Sequence, residues 1–209
     1  MRSTLKRGGA AVVLAAAVLS SGCGEFVRQS RSPSQLVIVS ILTARGTGTV
    51  PTTFPGVSGP LLSDVPNVNA GETVYEDFAQ VTLRAILKDP GVPPAAPTAP
   101  SGINDVTITR YRVTYRRFGG PEGQNTPGVD VPRPIEGAVT VTIPVGGTGP
   151  AVIIELVRRV AKLEAPLAAL GSGPVVLTMI AEVTLYGRDQ AGNEVSATGN
   201  VQINFANFS

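Results

Sequence analysis

The chain has 209 residues, 43% of them hydrophobic, with 17 basic and 15 acidic side chains, one cysteine and no histidine. Without an imidazole, Ser-His and Cys-His nucleophile pairs and the usual zinc and copper centres are excluded, which leaves carboxylate, lysine or tyrosine catalysis or an oxygen-lined calcium site. The 24 glycines and 18 prolines commit much of the chain to turns and loops.

The chain opens with a basic lead, Arg2, Lys6 and Arg7, then an apolar run from Ala10 to Leu19, then Ser20, Ser21 and Gly22 before Cys23. That run is shorter than the roughly 20 residues a bilayer core demands, so it reads as an export signal rather than a transmembrane helix. A buried N-terminal helix with an ordinary core cysteine is the competing reading. The order resembles a bacterial lipoprotein signal whose cleavage box is Leu19-Ser20-Ser21-Gly22-Cys23, with the leucine one position further from the cysteine than in the commonest form. The resemblance implies that residues 1–22 are removed, that Cys23 is lipidated, and that residues 23–35 tether an exported body to the bacterial cell envelope. By similarity to enteric lipoproteins, Gly24 after the cysteine, in place of aspartate, implies sorting to the outer membrane. Acylation would also remove a free thiol from an oxidising compartment. Processing leaves 187 residues with 14 basic against 15 acidic side chains, a balance that gives nucleic-acid binding no support.

Beyond the tether, Leu36 to Thr43 is a β-branched apolar run that reads as a buried first strand. Residues 44–72 are rich in glycine and proline and read as loop with short edge pieces at most. A second strand is expected from about Val74 to Lys88, where Val81, Leu83, Ala85 and Leu87 alternate with polar residues, and it stops at the turn Asp89-Pro90-Gly91. The proline-crowded stretch Asp89 to Asp105 has the composition of a linker. We read it as a long loop at one end of a sandwich, because neither flanking half holds enough strands to close a core. Residues 36–209 are accordingly expected to form one domain.

Val106 to Phe118 alternates most clearly, with Thr109, Tyr111, Val113 and Tyr115 expected on a core face and Ile108, Arg110, Arg112, Thr114 and Arg116 on the other. After a loop from Gly119 to Pro134, Ala138 to Val145 is another expected strand. Residues 151–170 combine a helical period with the β-branched Val152-Ile153-Ile154. The reading is a strand from Ala151 to about Val157 and then a short helical turn around Ala161 to Leu170 interrupted by Pro166, with one continuous helix as the rival. A final hairpin pairs Val175 to Arg188 with Glu194 to Phe205 across the turn Gln190-Ala191-Gly192-Asn193. The expected fold class is all-β, two packed antiparallel sheets with long loops and one short helix.

Ile108-Thr-Arg-Tyr-Arg-Val-Thr-Tyr-Arg resembles a central strand of fibronectin type III or related immunoglobulin-like modules, and Tyr186-Gly-Arg-Asp-Gln-Ala-Gly-Asn-Glu-Val is similar to their last hairpin. The resemblance implies an antiparallel immunoglobulin/fibronectin III-like β-sandwich. The chain departs from the immunoglobulin pattern in having neither paired cysteines nor a core tryptophan, and no clear tyrosine corner on its penultimate strand.

Two constellations stand out. Arg110, Arg112 and Arg116, with Arg117 at the end, form a ladder suited to phosphate or carboxylate ligands, such as lipid headgroups or acidic glycans, or to pairing with acids on neighbouring strands. Asp189, Asn193 and Glu194 could offer oxygens to calcium, or simply form a turn. Catalysis would need convergent carboxylates such as Glu76 and Asp77 beside Tyr75, and no phosphate-cradling loop, EF-hand or serine-hydrolase elbow is present. The expectation is a non-catalytic envelope lipoprotein without cofactor or resident metal, acting as a structural or protein-interaction module. A module binding anionic glycan or lipid headgroups through the arginines is the alternative.

Overall fold

The computed structural model describes residues 31–208 except 56–58, 93–95, 98 and 120–122, so the signal segment and Cys23 lie outside the described residues. In chain order the strands are β1 (Ser34–Ala44), β2 (Leu61–Asp64), β3 (Asp77–Leu87), β4 (Gly91–Val92), β5 (Ala96–Pro97), β6 (Val106–Arg117), β7 (Ile135–Ile143), β8 (Val152–Val157), β9 (Leu177–Asp189) and β10 (Glu194–Ala206). One helical turn, α1 (Arg159–Lys162), follows β8, and a 3-10 turn covers Leu167–Leu170. Among the described residues no helix is long and apolar enough to cross a membrane.

The protein is mostly β. A three-stranded sheet, β1-β3-β8, faces a five-stranded sheet, β2-β10-β9-β6-β7, while β4 and β5 form a small separate ribbon. Neighbours are antiparallel except β2, which runs parallel to the end of β10. Alternation supplies the core: Val81, Leu83 and Leu156 from the smaller sheet meet Val113, Val183, Leu185 and Ile203 from the larger in one buried cluster. Tyr115, on the expected tyrosine-valine-tyrosine face, donates its buried hydroxyl across the sheets to the Leu156 carbonyl at 2.7 Å. Burial pushes that phenol far above its ordinary range, so it keeps its donor proton.

The long β6 strand departs from simple alternation. Its register against β9 shifts between Ile108 and Arg110, a bulge at Thr109. The extra residue reverses the parity, so Val106 and Ile108 are buried on the same side as Tyr111, Val113 and Tyr115, while Thr109 is exposed. Thr109 therefore leaves the core face expected for it, and Ile108 leaves the arginine face. Other boundaries move less. β7 begins at Ile135 rather than Ala138 because Ile135 is itself a core residue, and β9 begins at Leu177, leaving Val175 and Val176 exposed.

Residues 151–170 resolve as strand and then helical turn, so the continuous-helix rival fails. Val152, Ile154 and Leu156 alternate into the core, a period-two pattern no helix could satisfy. Between β3 and β6 the chain makes the β4–β5 ribbon and a 3-10 turn at Gly102–Asn104, and the single buried cluster draws residues from both sides of that stretch.

Candidate functional site

Strand β6 places Arg110, Arg112 and Arg116 together on the outer face of the five-stranded sheet, as the alternation after the bulge requires. Two of the three have cross-strand partners there. The Arg110 guanidinium carbon sits 4.3 Å from the centre of the Tyr186 ring, directly across on β9, and Arg112 Nε lies 3.7 Å from Glu136 Oε1 on β7. Glu182 opposes Thr114 between the arginines, so the face carries both signs. Arg117 alternates away from this row, opposite the buried Met179, and its backbone N–H donates to Asn125 Oδ1 at 2.9 Å.

At the β9–β10 hairpin the expected turn forms with Gly192 at φ +87°, a conformation that glycine adopts without strain. Asp189 is buried beneath it. The Asn193 N–H donates to Asp189 Oδ1 at 2.8 Å and Asn193 Nδ2 to Oδ2 at 2.9 Å, with further hydrogen bonds from the Ser32 side chain and the Ala191 N–H. Glu194 turns to Arg188, with Nη2–Oε1 at 3.4 Å. Among the described residues no group of three or more acidic, histidine or cysteine side chains converges on a metal position. The carboxylate binds the turn and the start of β1, where Ser32 in turn accepts from the Ser34 N–H at 3.1 Å.

Burial opposes the charge on Asp189, but these donors together outweigh it and hold the carboxyl below its usual range. A depressed folded pKa contributes stability that is complete above the unfolded value of about 4 and is lost as pH falls through the folded value. Asp189→Asn should therefore cost about 1–2 kcal/mol at pH 7, and the gap to the parent should shrink below about pH 4. Urea midpoints of both proteins at pH 7 and pH 3 check this, and an unchanged gap would refute it.

The strongest internal electrostatic feature lies at the other end of the sheets and was only half visible in sequence. Asp77, the first residue of β3, is fully buried, and its Oδ2 accepts from Lys162 Nζ at 2.8 Å and from the Ser63 hydroxyl at 2.5 Å, while Oδ1 accepts from the Gly46 N–H at 3.0 Å. Lys162 is only 2% exposed. The carboxylate thus joins four segments: the exit of β1, the short β2, the start of β3 and the end of α1. Its neighbours Tyr75 and Glu76 do not join the cluster. Tyr75 is exposed and shares a cleft of about 450 Å³ with Arg45, Asp64 and Lys162. Ser63 and Lys162 both direct protons at one carboxylate, so each is engaged as a donor and the group acts as a clamp.

A second, larger groove of about 800 Å³ runs along the side of the body between β1 and β10. It is lined by residues 35–41 of β1, Gly59, Pro60 and residues 196–202 of β10, and none of these is charged. No family model, curated protein or solved structure matches this chain.

Proposed function

We propose that this chain is a non-catalytic lipoprotein of the bacterial cell envelope. An acyl group on Cys23 holds it to a membrane, and its two-sheet body serves as a structural or protein-interaction module. The observation that carries the reading is the placement of the two ends of the body. The chain enters at Ser32, fixed against the β9–β10 turn by Asp189. Thirteen-residue β9 spans about 40 Å, and at its far end Phe118, Val175 and Val176 are 65%, 58% and 54% exposed, with the Phe118 N–H bonded to the Thr178 carbonyl. A body held at one end and apolar at the other suits a protein that meets partners away from its anchor.

The internal use of Asp77, Lys162 and Asp189 supports the non-catalytic half of this reading, because the most chemically capable groups hold strands together. The strand order supports an immunoglobulin/fibronectin III-like assignment. Counting β1, β3 and β8 as strands A, B and E, and β6, β9 and β10 as C, F and G, gives the two-sheet division of that architecture, with β7 on the free side of β6.

The anchor is tested by growing a bacterial host expressing the full chain on a labelled fatty acid. The parent should carry label and sediment with membranes, released by detergent and not by salt. Cys23→Ala should lose essentially all label and leave the membrane fraction. An unlabelled parent dissolved in the cytoplasm would refute the proposal.

A further inference from the structure

We infer that the cleft between Arg45, Tyr75 and Lys162 binds a small oxyanion, the carboxylate or phosphate group of a low-molecular-weight ligand. The inference goes beyond the envelope-module reading and does not depend on it. The cleft holds about 450 Å³, within the range of small-ligand sites, and Arg45, Thr47, Asp64, Thr73, Tyr75 and Lys162 supply its polar lining.

Donors and acceptors are unevenly spent here. An ammonium carries three N–H bonds, and a buried ion pair is favourable only when further hydrogen bonds satisfy the protons that the counter-ion leaves over. Lys162 is 2% exposed, and Asp77 Oδ2, at 2.8 Å, is its one acceptor among the described residues. Two N–H bonds therefore remain for whatever fills the space beside them. Arg45 is in a similar position. Its Nη2 lies 2.5 Å from Asp64 Oδ2, its side chain is 46% exposed, and the rest of the five-donor guanidinium fork has no partner among the described residues.

The carboxylates, by contrast, are engaged on both oxygens. Asp77 takes the Gly46 N–H on Oδ1 and Ser63 with Lys162 on Oδ2. Asp64, the one acid among the lining residues, takes the Phe208 N–H on Oδ1 at 3.0 Å and Arg45 on Oδ2. Two cations thus border the cleft with a single, occupied carboxylate, and the hydroxyls of Thr47, Thr73 and Tyr75 add further donors. A positive, donor-rich hollow suits a carboxylate or phosphate, whose several lone pairs form charge-assisted bonds. The wall is held in place as well. Gly48, at φ +90°, lies against the Tyr75 ring, where a Cβ would come within 2.8 Å of Cε1. In the β6 row, Arg110 and Arg112 already have Tyr186 and Glu136 as partners.

The test follows backbone amide NMR signals of the full chain in detergent while inorganic phosphate, acetate or glucuronate is added, with chloride at equal ionic strength as reference. At least one oxyanion should shift the Gly46 and Thr47 amides saturably, with a Kd of about 1 mM or tighter, and leave Asn193 at the opposite end unmoved. A response to phosphate alone assigns a phosphate ligand, and a response to acetate and glucuronate a carboxylate. Arg45→Gln should weaken binding about tenfold, the weight of one charge-assisted hydrogen bond. Asp64→Asn removes the negative charge, keeps an oxygen for the Phe208 N–H, and should tighten binding severalfold. A purely structural role would move these two variants in the same direction. Absence of saturation, affinities unchanged in both variants, or weaker binding in Asp64→Asn would overturn the inference. So would binding retained by a folded Asp77→Leu, Lys162→Met double variant. Fatty-acid labelling of Cys23 is independent of all these results, so failure of the anchor and failure of the cleft are told apart.

Discussion

Asp77→Ala is expected to destabilise the protein by about 3–5 kcal/mol, because it leaves the Lys162 ammonium buried without its counter-charge. Ser63 and the Gly46 N–H lose their acceptor in the same step. Against a total stability of roughly 5–15 kcal/mol for a domain, that is enough to leave much of the protein unfolded at moderate temperature. Lys162→Ala should cost a similar amount for the reciprocal reason. The double variant Asp77→Leu with Lys162→Met should recover a large share of the loss, since two apolar side chains in place of a desolvated ion pair carry no orphaned charge. Urea unfolding of the three variants decides the point. If the double variant were as unstable as the sum of the singles, the pair would not be acting as one coupled unit.

Phe205→Ala should be the largest single loss in the apolar core, about 3–5 kcal/mol. Phe205 is fully buried on β10, opposite Leu177 on β9 and Ser63 on β2, so it packs where three strands of the larger sheet meet. The informative control is Phe118→Ala. The same atoms are removed from a side chain that is 65% exposed, and the expected change is within about 0.5 kcal/mol. Thermal or urea midpoints measured side by side would test whether burial, rather than residue type, sets the cost. A comparable loss for the two would overturn the description of the core.

Strand positions were legible wherever one face is buried and the other wet. β3, β8 and the β9–β10 hairpin announce themselves by alternation and by turn residues, and they fall within a few residues of expectation. The bulge at Thr109 was not legible. An inserted residue leaves local composition unchanged, and only pairing with β9 reveals that Ile108 and Tyr111 share a side. The arginine row was readable as a face, but its partners Tyr186 and Glu136 come from strands distant in sequence, so its pairing was not. Lys162 was hidden for a different reason. Within its own segment it belongs to a polar helical stripe that reads as exposed, and it is buried only because Asp77, 85 positions earlier, offers a counter-charge at the neck of β3. Asp189 gave a partial signal: its turn was expected, but its bond to Ser32 joins points more than 150 residues apart.

The contact between Ser32 and Asp189 also couples two parts of the fold that lie far apart in sequence. Ser32 leads into β1 of the smaller sheet and Asp189 closes β9 of the larger, so the first strand and the last hairpin cannot part at this end without stripping donors from a buried carboxylate. Fraying of the start of β1 and opening of the β9–β10 turn are thereby joined into one event.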